Sequence, residues 1–245
     1  KRQRQKIVKV TNVVTYEGAL FNRLRALRPV DVKDKKGIGD QLQDTNDSFH
    51  YPEENTPEDL FGRVVGRYCV TASNVSKYDG LHGLVIFNDF NPLGFSREKV
   101  IDYIDVGCEW ARRAQVLRPE ARYFFFVWNC LWRAGASINH GHAQVMLTSG
   151  QHYARVEGLR RAALDYQQNF GSNYFADLFR VHRSLGCAVE KEGVRVLAHL
   201  APFKDNEIIL MAGELNLSLK ERIYEALACY CLLYTSPSPR DLSTS

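Results

Sequence analysis

Residues 123–128 read Tyr-Phe-Phe-Phe-Val-Trp, with large apolar side chains at odd and even positions alike. Successive side chains of a strand point to opposite faces. As a strand over residues 122–129, this segment has to be covered on both sides, which places it at the centre of a sheet in a layered fold. The surrounding segments supply the other parts. Residues 67–73 and 82–87 are β-rich and are joined by the turn Lys77-Tyr78-Asp79-Gly80. A helix is expected over residues 97–116, with Ser96 as its cap and Val100, Ile101, Ile104, Cys108 and Ala111 in helical period. After a turn at Gly135, residues 140–148 form a further strand. Helices follow over 153–170 and 174–185, broken at Gly171-Ser172-Asn173. Residues 187–190 and 194–200 make a hairpin about Lys191-Glu192-Gly193, and residues 207–211 one more strand. Ser218 with Glu221 opens a last helix as a capping box. Nearer the start, residues 7–16 suit a short strand and residues 31–55 a long polar loop. Thr56 as cap and Pro57 at the first helical position suit a helix start. Strands that arrive mostly as hairpins, with helices between them, define an α+β class with an antiparallel sheet.

The bulk properties narrow the function classes. A chain of 245 residues is long enough for one large domain or two small ones. The net charge of +4 is mild, and the cluster Lys1, Arg2, Arg4 and Lys6 suits a solvated tail better than a nucleic-acid arm. No apolar run reaches the roughly 18 residues of a membrane span, and no signal peptide is visible, so a cytoplasmic protein without nucleic-acid or membrane partners is expected. The six cysteines are scattered rather than framed, as reduced thiols are. Phosphate-binding Gly-rich loops, dinucleotide fingerprints and His-Glu-x-x-His are absent from the sequence. Trp110, Trp128 and Trp132 are expected in the core.

The chemistry concentrates in one strand. Its alternation puts His140, His142 and Gln144 on one face and Gly141, Ala143 and Val145 on the other. Two imidazoles and a carboxamide in line offer a nucleophile and hydrogen-bonding groups suited to a phosphate. The small residues behind them allow close packing on a helix. On these residues alone, a metal pair or two surface histidines remain open as readings.

The wider segment adds to this. Asn129, Gly135, Ser137, His140, His142 and Gln144 stand at the spacing that resembles the active-site segment of galactose-1-phosphate uridylyltransferases and diadenosine tetraphosphate phosphorylases, both of the histidine-triad superfamily. Gln144 in place of a third histidine is similar to the transferase branch. The resemblance implies that His142 is the nucleophile, forming a covalent nucleotidyl-histidine, with His140 and Gln144 beside it in the catalytic strand. Gln144 and Ser137 would donate to phosphoryl oxygens, and Asn129 and Gly135 would belong to the substrate site. Arg25-Ala26-Leu27-Arg28-Pro29 is similar to a family segment whose arginines face the substrate phosphates, although Arg25 and Arg28 could equally be the polar side of a short helix. For the nucleoside, Asn74 is favoured by the order of elements, with Asp89 of Asn88-Asp89-Phe90 as the alternative.

Residues 194–207 look like the opening strands of the family's second half. The expected organisation is therefore a histidine-triad-like half over residues 1–185 and a truncated second half over 186–230. Residues 231–241 match the translation of a transposase adapter from sequencing libraries, so 231–245 are expected to be artefact. The implied activity is transfer of a nucleoside monophosphate from a nucleotide-sugar or dinucleoside polyphosphate. A UDP-hexose uridylyl donor is favoured over an adenylyl one, and a homodimer is open to the full-length protein. A non-catalytic nucleotide-binding module is the reading from another class.

Zinc-binding members of that family carry a Cys-x-x-Cys after the Arg-Pro and a further histidine before the first long helix. This sequence has neither, and His140 matches one ligand alone. One ligand does not hold a zinc ion, and His82, opening a strand, suits a structural role better than a ligand's. Neither a cofactor nor a structural zinc is expected.

Overall fold

The computed structural model describes residues 5–26, 47–131, 134–204 and 206–235. They group into two compact units, one within residues 1–95 and 102–160 and the other within 96–101 and 161–245.

The first unit opens with a hairpin, β1 (Ile7–Thr11) paired antiparallel with β2 (Gly18–Asn22), and a short helix α1 (Arg23–Ala26). The second strand of this hairpin was not apparent in the sequence. A further short helix, α2 (Pro52–Asn55), is closed by Thr56, whose N–H and hydroxyl both donate to the Pro52 carbonyl. Thr56 therefore ends a helix instead of starting one, and residues 57–59 are not helical.

The main sheet is made of β3 (Cys69–Ser73), β4 (Leu81–Phe87), β5 (Ala121–Val127) and β6 (His142–Ser149), in the antiparallel order β3-β4-β6-β5. One face carries Val85, Phe87, Ala143, Val145 and Leu147, packed against Tyr103, Val106, Trp110 and Ala114 of α3 (Arg97–Leu117). Trp110 is completely buried, and its indole N–H donates to Asp59 at 2.7 Å. It lies so close to β4 that a Cβ on Gly83 would come within 2.5 Å of its ring nitrogen, which fixes a glycine there. Trp128 packs against the same core, while Trp132 lies outside the described residues.

The aromatic strand is not central. β5 is at the edge of the described sheet, and β6 takes the middle position. Its aromatic side chains are covered by other layers. Phe124, Phe126 and Trp128 join the core under α3, while Phe125 and Val127 floor a cavity on the opposite face. Apolarity on both faces reports two covered faces, and an edge strand meets that condition as well as a central one.

In the second unit, β7 (Ala188–Lys191), β8 (Val194–Ala198) and β9 (Ile208–Met211) form an antiparallel sheet. The helix α4 (Ala154–Phe170) precedes α5 (Tyr174–Ser184), which packs on β7 and β8 and buries Phe179. Asn173 caps α5 by accepting the Ala176 N–H at 3.0 Å. The last helix, α6 (Leu217–Thr235), starts with Asn216, which accepts the Leu219 N–H at 3.0 Å, so the cap lies two residues before the expected Ser218. Among the described residues no helix is long and apolar enough to cross a membrane.

Candidate active site

The face of the main sheet away from α3 carries the candidate site residues. The register sets Ile86 opposite His142, Leu84 opposite Gln144 and His82 opposite Met146, so His82, His142 and Gln144 share this face. β5 adds Phe125 opposite Met146 and Val127 opposite Gln144. Continuing that register brings Asn129 level with His142.

β6 begins at His142, two residues later than expected, and His140 precedes it in a bend. His140 is buried, with its Nε2 2.9 Å from the Phe87 carbonyl. Its own carbonyl accepts the Nδ1–H of His142 at 2.8 Å. A carbonyl can only accept, so the proton of the neutral His142 ring sits on Nδ1 and the lone pair on Nε2. Between them, Gly141 donates its N–H to the Phe90 carbonyl at 2.8 Å and accepts the Phe87 N–H at 2.9 Å. A Cβ at position 141 would lie 2.6 Å from the Phe87 ring, so only glycine lets the chain pass this close. Phe49 meets the His142 ring edge-on at 5.2 Å, and with Ala72, Leu84, Ile86 and Ile138 it makes a small apolar cluster on this side.

Gln144 is held differently. Its Oε1 lies 2.9 Å from Nε2 of His82, and the Nδ1 of His82 accepts the backbone N–H of Tyr78 at 2.8 Å. Burial pushes the His82 pKa down to about 4, helped by Lys77 and Arg25 and opposed by the Gln144 bond and Asp79. Asn74 sits 3.1 Å from the same His82 nitrogen through its Nδ2, and its Oδ1 accepts the Ser76 N–H at 2.9 Å.

Beyond Gln144 a cavity of about 470 Å³ opens over Phe125, Val127 and Met146, with Gln144 and Asn129 on its floor. Its walls carry three cationic side chains, Lys9, Arg25 and Arg155. Lys9 donates to Thr148 at 2.9 Å and lies 5.6 Å above the Tyr153 ring. Arg25 donates to the Ser76 carbonyl at 3.3 Å and lies 5.3 Å over Tyr78. The Tyr153 hydroxyl donates to Asp79 at 3.0 Å, and burial and that carboxylate raise its pKa.

The structure thus brings Gln144, Asn129 and Arg25 to one cavity, with His142 next along the same face. Gly135 and Ser137 are exposed in the loop before β6, with Gly135 at φ 90°. Asn74 belongs to the His82 corner. Asp89 lies after β4, its carbonyl 3.1 Å from where a Cβ of residue 141 would be, and it does not line the cavity. Arg28 lies outside the described residues. Lys9, Tyr78 and Tyr153 were not foreseen as site residues, and His82 was assigned only a structural role. A short hairpin strand and a turn carry no local signature of what they will face.

Among the described residues the donors present do not fit a zinc ion. His140 turns Nε2 to the Phe87 carbonyl, and its Nδ1 lies 3.5 Å from Asp47. His82 is committed to Tyr78 and Gln144. The described residues include no group of three or more His, Cys, Asp or Glu placed to hold a metal, and residues 27–46 contain no Cys or His.

Neither a family model nor a curated protein matches this sequence. Solved structures do resemble the fold. A uridylyltransferase is similar with a TM-score of 0.64 at 12% identity, over 95% of this chain and 77% of that one. An ADP-glucose phosphorylase from Arabidopsis thaliana, with bound ADP-glucose, is similar with a TM-score of 0.54 at 18% identity, over 94% of this chain and 75% of that one. A GalT-like protein from Arabidopsis thaliana gives 0.52 at 18% identity, over 76% of this chain and 67% of that one. At such identities the likeness is one of fold. The fold is the α+β, histidine-triad-like one that the sequence resemblance implied.

Proposed function

We propose that the protein is a nucleotidyltransferase that passes a nucleoside monophosphate through a covalent nucleotidyl-histidine at His142. The observation that carries this reading is the 2.8 Å bond from His142 Nδ1 to the His140 carbonyl, which leaves Nε2 of the neutral ring with its lone pair. That nitrogen attacks the α-phosphorus of the donor, an N–P bond forms, and the P–O bond to the leaving phosphate breaks with its electron pair going to that oxygen. The oxygen of a second phosphorylated substrate then attacks the same phosphorus and frees the histidine. Gln144 donates to the non-bridging oxygens as charge builds on them, a contribution of roughly 3–4 kcal/mol for a well-placed donor. The three cations of the adjoining cavity suit the phosphate that leaves and the one that arrives.

The donor is a nucleotide-sugar in this reading, with UDP-hexose favoured by the spacing from Asn129 to Gln144. An adenylyl donor is the second reading, supported by the fold likeness to a protein holding ADP-glucose. The test is incubation with labelled UDP-glucose, ADP-glucose and diadenosine tetraphosphate separately, each without acceptor. Label that stays on the protein through denaturation, and moves to a peptide containing His142, identifies the donor. Absence of label from all three would replace this reading with the non-catalytic binding module.

A further inference from the structure

We propose that His82 is a positioning residue for Gln144: its Nε2–H holds the carboxamide oxygen, so the amide nitrogen is the end offered to a phosphoryl group. The catalytic consequence rests on the transferase reading above, but the orientation itself does not.

The inference follows from hydrogen-bond direction. The Tyr78 backbone N–H can only donate, and it points at His82 Nδ1 over 2.8 Å. That nitrogen therefore carries the lone pair, and the single proton of the neutral ring is on Nε2. An N–H at Nε2 requires an acceptor 2.9 Å away, so the Gln144 atom there is the oxygen. The competing tautomer would set two N–H groups 2.8 Å apart at Tyr78, whose backbone cannot turn away. Asn74 sets its Nδ2 3.1 Å from the same nitrogen while its Oδ1 holds the Ser76 N–H, so it opposes this tautomer, but its contact is longer than that of the Tyr78 backbone and a side chain gives way before a backbone does. His82 is fully buried on β4, so its ring is held by packing as well.

A glutamine side chain has two nearly isosteric ends, and rotation about its last torsion exchanges them at little cost. Non-bridging phosphoryl oxygens only accept. Turned one way, Gln144 stabilises them; turned the other, it sets an oxygen against them. Its position on the floor of the cavity does not choose between the two, whereas His82 does.

Two measurements test this. In the ¹⁵N-labelled parent protein, long-range proton–nitrogen spectra, assigned with His82→Leu, should show His82 as the neutral Nε2–H tautomer near neutral pH. The Nδ1–H tautomer would overturn the proposal, and this outcome needs no substrate. In the second measurement, nucleotidyl-enzyme formation should slow about tenfold in His82→Leu, less than for loss of the donor itself because Gln144 still samples the right orientation. His82→Gln, which keeps a donor, should stay within about threefold of the parent. His82→Leu should add nothing to the loss already caused by Gln144→Ala. An equal further loss in the Gln144→Ala background would show that His82 acts on the fold rather than through Gln144. Failure of the parent to take up any label would overturn the transferase reading, and the tautomer would still decide the orientation.

Discussion

His82 and His142 stand on the same face of one sheet, on neighbouring strands. Both are buried, and both are fixed through Nδ1 to the backbone at 2.8 Å. The polarity of the backbone group differs. At His142 it is a carbonyl, which takes the Nδ1 proton and leaves Nε2 a lone pair. At His82 it is an N–H, which fills the Nδ1 lone pair and leaves Nε2 a proton. One ring can thereby accept at Nε2, as the proposed nucleophile requires, and the other can donate there. An imidazole's role is set by the group at its far nitrogen, and two buried histidines in one sheet can be given opposite tasks.

The largest expected effect falls on His142, the proposed nucleophile. His142→Ala should reduce covalent labelling to below about a hundredth of the parent, with the folded state retained because the backbone pairing of β6 with β4 and β5 needs no side chain at position 142. Turnover above that level would remove the contrast between the two rings.

A second prediction sharpens the contrast by pH. The unfolded chain binds a proton on residue 82 near pH 6.5, whereas the folded ring resists it down to about pH 4. The contribution is fully present above pH 6.5 and is lost as pH falls towards 4. Between about pH 7 and about pH 5 the parent should lose about 2 kcal/mol more stability than His82→Gln. Urea denaturation of both proteins at the two pH values measures it. Equal losses in the two would mean that His82 is protonated in the folded state.

The smallest effect belongs to the cavity floored by Gln144. Arg25→Ala should raise KM about fivefold with little change in kcat, and the difference should shrink with added salt, since the side chain is exposed. A fall in kcat with KM unchanged would place Arg25 in the transition state instead.

Much of this was legible in the sequence where a local rule decides it. The period-two order of His142, Gln144 and the small residues between them places the site on one face, and Ala143 and Val145 do pack on the other. The helical period from Val100 onward marks α3, and the Lys191-Glu192-Gly193 turn marks the hairpin of β7 and β8. What failed depended on distant partners. Residues 123–128 show that both faces are covered without saying by what, so an edge strand under a helix and over a cavity reads as a central one. Thr56 and Ser218 both have capping chemistry, but Pro52 and Asn216 occupy the positions that decide where those helices end and begin. His82 resembles any buried histidine until Tyr78 and Gln144 are brought to its two nitrogens.

The position of β6 has a consequence for how the molecule assembles. The β3–β4 hairpin is local, and β5 follows α3 directly, so each can form with little loop closure. The strand bearing His142 must then enter between β4 and β5, pairing Ile86 with His142 across the whole of α3 and β5. Non-local pairings of this kind are slow because chain closure precedes any gain from contacts. His142 therefore reaches its place only when the sheet closes. Partly folded chains lack the His140–His142 bond that fixes the ring, so under the proposed function competence requires a complete main sheet.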